Sequence, residues 1–240
     1  GNASDWKAAT PNVVTLPAYF RKNGYHTIGA GKIFHHHSND FVDSSAFEHL
    51  LPFPPGTPDA PMPSRNLNGT THWYDKEGKA IRSVSPNMDW GVWPTDSTQG
   101  IDERTVRYLE ENLKTAREPF FMAAGIFRPH MPYYLPKSAF DAYPLASLIM
   151  PSLLKNDVDD LSSGGTALLR RPSNNWWTTL MHETTQRDSL YLKRAVQGYQ
   201  AAAAYSDRQV GRLLTALQNS PFAQNTIVVL WGDHGWNLGE

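Results

Sequence analysis

Three short runs of apolar and β-branched residues constrain the fold of this chain more than any other feature. They lie at residues 25–34, 119–127 and 226–232, and their length and continuous apolarity predict buried strands. Apolar residues at helical spacing separate them, most clearly at 97–116 and 188–218. Strands that alternate with helices predict an α/β fold, with a mainly parallel sheet covered on both faces.

Two long stretches interrupt this alternation. Residues 35–95 and 146–187 are rich in turn-favouring residues, so we predict loop-rich insertions that carry functional loops. A shorter, proline-bounded loop is expected at 128–136. Residues 13–24 predict a short helix, with Thr15 as its N-cap.

Composition excludes several classes of function. The 240 residues include no Cys, so this chain has no disulfide, no thiolate metal site and no Cys nucleophile. A formal net charge of −1, without a Lys/Arg run, argues against nucleic acid or an anionic membrane surface as a partner. No apolar run approaches the ~18 residues of a membrane span, and the N-terminal residues lack the pattern of a signal peptide.

Each predicted strand runs into a loop that carries His together with Lys, Arg or Asp. Lys32 and His35 follow the first strand, His130 follows the second, and Asp233 and His234 follow the third. Ligands of parallel α/β sheets bind beyond the carboxyl ends of the strands. We therefore expect the three clusters to converge on one site.

The residue types indicate the chemistry of that site. Lys32 is a compact positive charge suited to an anion, and His35 can donate or accept a proton near neutral pH. Prolines close to His130 on both sides fix the direction of its ring, as suits a general acid. The adjacent carboxylate and imidazole of Asp233 and His234 suit a divalent cation.

Structural alternatives remain open for these residues. Asp233 and His234 could form a surface turn, and His130 could be hydrogen-bonded inside a proline-rich turn. His36 and His37 extend a His run that a polar loop or an adventitious metal site would also explain. The loop tryptophans could stack on sugar rings, although closing small satellite cores is the better explanation for any single one.

Four blocks of this sequence resemble one family. They read TLPAYFRKNGYHTIGAGKIFH, PFFMAAGIFRPHMPYYLPKSAFDAYP, YQAAAAYSDRQVGRLLTAL and TIVVLWGDHGWNLGE. In this order they resemble the type I, formylglycine-dependent sulfatases, most closely the iduronate-2-sulfatase and choline-sulfatase-like branch of the alkaline phosphatase-like superfamily. The resemblance implies an α/β/α sandwich with a mainly parallel sheet, incomplete at both ends.

The resemblance also implies a role for each candidate residue. Asp233 and His234 would be ligands of a calcium ion, and Lys32 would hold the sulfate. His35 would assist a hydrated formylglycine nucleophile. His130 would bind sulfate near the bridging oxygen and help the alcohol to leave. These roles agree with the chemistry of the residues, since a cation and a Lys neutralise charge while His residues move protons.

The sequence departs from the family pattern at the nucleophile. The family carries a Cys/Ser-x-Pro-Ser-Arg motif before the block that contains Lys32, and this chain has none there. Residues 61–65, PMPSR, match the end of that motif, but Pro61 stands in place of the nucleophile. We therefore expect residues 1–240 to be the central part of one sulfatase catalytic domain, with no nucleophile of their own and formylglycine upstream. We expect these residues alone to be inactive.

The function implied is hydrolysis of a sulfuric ester, on a sulfated saccharide such as a glycosaminoglycan or another sulfated polysaccharide. Two alternatives stay open: a phosphodiesterase or phosphonate hydrolase of the same superfamily, and a non-catalytic sulfatase-like binding protein. Loop arginines such as Arg65, Arg170 and Arg171 could contact an acidic sugar. By resemblance the protein would be periplasmic, secreted or lysosomal; the sequence does not predict an oligomeric state.

Overall fold

A computed structural model gives the fold of the chain. The residues that it describes are 6–34, 42–53, 63, 65–75, 77–83, 88–93, 100–152, 156–169 and 176–236. None of the described helices is both long enough and apolar enough to cross a bilayer.

The described residues contain both helices and strands. The helices are α1 (Trp6–Ala9), α2 (Leu16–Lys22), α3 (Ile101–Leu113), α4 (Lys137–Asp141), α5 (Ser163–Leu169), α6 (Trp176–Gln186) and α7 (Tyr191–Gln218). The strands are β1 (His26–Gly31), β2 (His49–Pro52), β3 (His72–Tyr74), β4 (Ala80–Ser83), β5 (Trp90–Val92), β6 (Phe120–Gly125) and β7 (Tyr133–Leu135).

The chain forms two compact units, each assembled from separate segments. The first consists of Gly1–Met62, Trp93–His130 and Ala203–Ile227, and the second of Pro63–Val92, Met131–Ala202 and Val228–Glu240. The assignment of the whole chain to one catalytic domain stays a prediction.

A parallel sheet with helices on both faces forms the centre of the first unit. β1 lies between β2 and β6, both pairs are parallel, and every residue of β1 is buried. Ile28 and its partner Met122 pack with Leu109 of α3. Phe121, which precedes Met122 in β6, stacks on Phe20 of α2, with ring centroids 4.7 Å apart. Successive strand residues face opposite sides, so α3 and α2 cover opposite faces of the sheet. The predicted α/β fold is confirmed.

The second unit has two small sheets, and a buried carboxylate ties a loop to one of them. β3 pairs with β4 antiparallel, and β5 pairs with β7 parallel. Asp89 is fully buried and accepts hydrogen bonds from the amides of Leu67 and Asn68 at 2.7 and 2.8 Å. The Tyr134 hydroxyl also donates to it, at 2.7 Å. Burial raises the pKa of Asp89, although these hydrogen bonds oppose the shift. The carboxylate ties the loop that contains Leu67 and Asn68 to β7.

The predicted strand at 226–232 is wrong. These residues form no regular secondary structure and pair with no strand in the described part of the chain. Their side chains are exposed, with Ile227 at 92%, Leu230 at 73% and Trp231 at 72%. An apolar run becomes a buried strand only where other segments supply both ladder partners and covering layers. The run itself carries no information on whether they do.

Short elements were also missed within the predicted loops. β7 lies inside the loop expected at 128–136, and α5 and α6 lie inside the insertion expected at 146–187. Strands of three residues are too short to show a period of two, so their pairing with distant segments is not readable locally. The helix expected at 13–24 is confirmed as α2. However, Thr15 makes no side-chain cap, and its hydroxyl donates to Asp43 at 2.8 Å.

Candidate active site

Two of the three predicted clusters meet at one end of the first unit's sheet. β1 and β6 are adjacent and parallel, and their last residues, Gly31 and Gly125, are partners in register. Lys32 follows β1 at once, and its backbone N–H donates to the Gly125 carbonyl at 2.8 Å. The loop that carries His130 follows β6. The parallel pairing therefore brings together residues that are about a hundred positions apart in sequence.

Two glycines allow the strand ends to come this close. Gly31 has φ +78°, a left-handed conformation that side chains rarely adopt, and a Cβ there would collide with the Gly125 carbonyl oxygen. A Cβ on Gly125 would in turn collide with the backbone of Lys32. Any larger residue would push the start of one loop away from the other.

The side chains of both loops gather around one aromatic ring. The Lys32 ammonium lies over the Phe127 ring, 5.2 Å from its centroid. The His130 ring centroid is 4.8 Å from that of Phe127, with 33° between the planes. The Arg128 guanidinium carbon also lies over the ring at 5.0 Å. A cation can hold an anion, and an imidazole can exchange a proton with it.

A buried carboxylate anchors this second loop. Asp102 lies in the first turn of α3 and is 1% exposed. It accepts the backbone N–H groups of Phe127 at 2.7 Å and Arg128 at 3.1 Å. The Arg128 guanidinium donates to the His130 carbonyl at 3.3 Å, which closes the loop on itself. Charge-assisted hydrogen bonds of this kind are stronger than neutral ones and fix the backbone direction.

Sequence reasoning missed Asp102, although a signal was present. The buried stripe of α3 contains Val106, Leu109 and Leu113. Asp102 occupies the position one turn before Val106 on that stripe. A carboxylate is almost never fully buried without partners, so an acid there indicates a polar anchor.

The third cluster lies in the second unit on an exposed loop. The side chains of Asp233 and His234 are 81% and 77% exposed, with His234 Nε2 3.7 Å from Asp233 Oδ2. The His234 amide donates to Asp233 Oδ1 at 3.0 Å, and Nδ1 is 2.9 Å from the Gly235 carbonyl oxygen. A cation that takes six to eight oxygen ligands would find only a carboxylate in this pair. No group of three potential ligands is assembled among the described residues. The pair by itself therefore offers a cation one carboxylate and one imidazole, which is fewer ligands than a complete metal site has.

The remaining candidate residues are partly outside the described residues and partly exposed or buried. His35, with His36 and His37, lies outside the described residues, as do Arg170 and Arg171. Arg65 is exposed. Trp73 and Trp90 are 3% and 6% exposed, which favours the core interpretation for both. The convergence of all three clusters and the roles of their residues stay predictions.

Comparison with known proteins identifies the class. Residues 3–240 match the model of the sulfatase family, and the chain belongs to that family. The predicted resemblance is confirmed. It also agrees with the α/β architecture, since sulfatases share the alkaline phosphatase-like fold.

Individual relatives match the chain almost from end to end. A protein named sulfatase from Formosa agariphila is 36% identical over 242 residues, which cover 98% of this chain and 44% of the relative. Iduronate 2-sulfatase from mouse is 31% identical over 254 residues, 99% of this chain and 43% of the relative. The human iduronate 2-sulfatase is 30% identical over 250 residues, with the same coverage. The chain thus spans less than half the length of these relatives.

Proposed function

We propose that the full-length protein containing this chain hydrolyses sulfate esters. The observation that supports this most directly is the arrangement of Lys32 and His130 around one ring, in a chain of the sulfatase family. An ammonium group and an imidazole against the same ring suit a negatively charged ester whose alcohol is a poor leaving group.

Each residue has one task in this proposal. In the net reaction one water molecule is consumed and the ester bond breaks, giving an alcohol and hydrogen sulfate. The Lys32 ammonium pairs with a sulfate oxygen, and His130 gives a proton to the alcohol oxygen as it leaves. His35 assists the hydrated formylglycine that we expect upstream of this chain. Asp233 and His234 contribute to a calcium site; bound there, the cation would neutralise charge on the sulfate.

The substrate we propose is a sulfated saccharide, such as a glycosaminoglycan or another sulfated polysaccharide. The mouse and human relatives are named for iduronate, which supports a sugar acid as the alcohol part of the ester. We further propose that the protein is periplasmic, secreted or lysosomal, where such substrates occur.

The test is a comparison of variants in the full-length protein. We expect Lys32→Ala to lower kcat/KM by about 10²–10³-fold, as for loss of one charge-stabilising donor. We expect His130→Ala to lower kcat by about 10²–10⁴-fold on a sugar sulfate, but much less on an aryl sulfate whose phenol leaves without a proton. Lys114→Ala is the control, since that side chain is 66% exposed at the end of α3 and pairs with the exposed Glu111.

Three results would contradict the proposal in different ways. Turnover of phosphate diesters but not sulfate esters would support the phosphodiesterase alternative. Saturable binding of a sulfated saccharide without turnover, and without formylglycine in the intact protein by mass spectrometry, would support the non-catalytic one. An equal loss of kcat on aryl and sugar sulfates in His130→Ala would contradict the role of His130 as a proton donor.

A further inference from the structure

We propose that Phe127 is a positioning residue: its ring sets where the Lys32 ammonium and the His130 imidazole lie relative to each other. This inference rests on the proposed function, because it concerns the same two groups. It adds a residue to which neither the sequence pattern nor the family resemblance gives a role.

The first argument is that both polar groups use the same ring as a reference surface. Lys32 reaches its place through a flexible four-carbon stem, and a cation over an aromatic face gains a preferred position that the stem alone does not give. His130 lies at 4.8 Å and 33°, an offset tilted arrangement that aromatic pairs favour. Two groups placed against one body have a defined separation.

The second argument is that the ring itself is held firmly. Phe127 is 8% exposed and packs with Phe53 and Ile101, both also buried. The Phe53 ring lies 5.1 Å from it, and the Phe127 amide donates to the buried Asp102 at 2.7 Å. A ring that is held by packing and by the backbone hydrogen bond of its own residue can hold neighbouring side chains in place.

The third argument is that chemistry at this site is sensitive to placement. A displacement of about 1 Å of a catalytic group can lower the rate by ~10²-fold. An aliphatic side chain at position 127 would fill much of the same volume but would offer neither a negative face to the ammonium nor a flat surface to the imidazole. The aromatic character is therefore what the site requires, beyond apolar volume.

The test compares two deletions of an aromatic ring from one cluster. Phe127→Leu and Phe53→Leu each remove a ring from the same buried group, and Phe127 is the ring that lies against both Lys32 and His130. Both variants are made in the full-length protein, together with Phe127→Tyr, which keeps the aromatic face. The readouts are kcat and KM on a sulfated saccharide, the melting temperature, and crystal structures of both leucine variants.

We expect both leucine variants to melt at lower temperature, but only Phe127→Leu to lower kcat, by about 10–100-fold for a displacement near 1 Å. Phe127→Tyr should keep kcat, and the crystal structure of Phe127→Leu should show Lys32 Nζ or the His130 ring displaced. Equal losses of kcat in both leucine variants, or an unchanged Lys32–His130 geometry in Phe127→Leu, would overturn the inference. If the wild-type protein turns over no sulfate ester, the proposed function fails, and the crystal structures alone then decide the positioning role.

Discussion

At the scale of single residues, His26 is a titratable group whose buried environment opposes charge. It opens β1 and is 7% exposed. Its Nδ1 accepts the Arg117 N–H at 3.2 Å, and its Nε2 lies 4.0 Å from a Glu48 oxygen. Burial lowers the pKa of His26 below its ordinary value of 6.5; Glu48 opposes the shift, whereas Arg117 and His49 add to it. Protonation at Nδ1 would place two donors face to face.

This environment predicts acid sensitivity of the fold. Because the folded pKa lies below the unfolded one, the unfolded chain binds the proton more readily, and the free energy of unfolding falls as the pH drops below 6.5. We expect His26→Asn, which keeps an acceptor but cannot titrate there, to reduce the loss of melting temperature between about pH 7.5 and pH 5. His72→Asn, at an exposed histidine of β3 that takes no part in the shift of His26, is the control and should keep the wild-type dependence. An unchanged pH dependence in His26→Asn would contradict the prediction.

Residue-level prediction went furthest where a candidate residue directly follows a strand. Lys32 and the His130 loop were expected beyond the ends of strands, and parallel pairing brings their backbones together. Phe127 and Asp102 were not predicted, because a strand-end phenylalanine and a helix-start aspartate each have an ordinary explanation. Their importance arises from contacts between segments that are distant in sequence.

At the scale of elements, one arginine connects α7 to α3. Arg212 donates from Nε and one terminal nitrogen to Glu110, at 3.1 and 2.7 Å, and from the other terminal nitrogen to Glu103 at 2.6 Å. The guanidinium is 35% exposed, and the two carboxylates are 20% and 23% exposed. Burial alone would lower the pKa of Arg212, but its hydrogen bonds to the two glutamates and their negative charge outweigh burial and raise that pKa. The geometry requires the planar fork of arginine.

Loss of this connection should weaken the packing of the two helices. We expect Arg212→Ala to lower the free energy of unfolding by about 1–2 kcal/mol, a value kept low because the group is partly in contact with water. Arg212→Lys should recover only part of it, since lysine cannot bind both carboxylates through a fork. Lys114→Ala removes an exposed ion pair at the end of α3 and should lower the free energy of unfolding by less than about 0.5 kcal/mol. Denaturant unfolding of the three variants measures the difference, and equal losses in Arg212→Ala and Lys114→Ala would refute it.

Elements were predictable in proportion to their length and periodicity. The stretch 97–116 became α3 and 188–218 became α7, because amphipathic spacing over many residues is a local property. The runs 25–34 and 119–127 became β1 and β6, which pair with each other. The equally apolar run 226–232 did not become a strand, which shows that strand formation depends on partners.

At the scale of the whole molecule, the candidate site residues are divided between the two units. The proposed anion-binding and proton-donating groups lie in the first unit, and the proposed metal ligands lie in the second. The family pattern assigns no nucleophile to residues 1–240, and the relatives are more than twice as long.

We therefore expect residues 1–240 by themselves to hydrolyse no sulfate ester, while the full-length protein does. The measurement is turnover of an aryl sulfate by the purified chain beside the full-length protein. The same chain with Lys32→Ala serves as the control for contaminating sulfatase. The prediction fails if the purified chain hydrolyses the ester and the Lys32→Ala chain does not. Residues 1–240 would then be sufficient for the reaction.

The exposed run at 226–231 has a practical consequence for handling this chain. It reads TIVVLW, without charge or proline, and has the high β-propensity typical of segments that stack into cross-β ladders. Asp233 is the nearest charge and can act as a gatekeeper on one side only. Wherever the run is left uncovered, self-association through it will compete with folding, so the solubility of the chain depends on what covers these six residues.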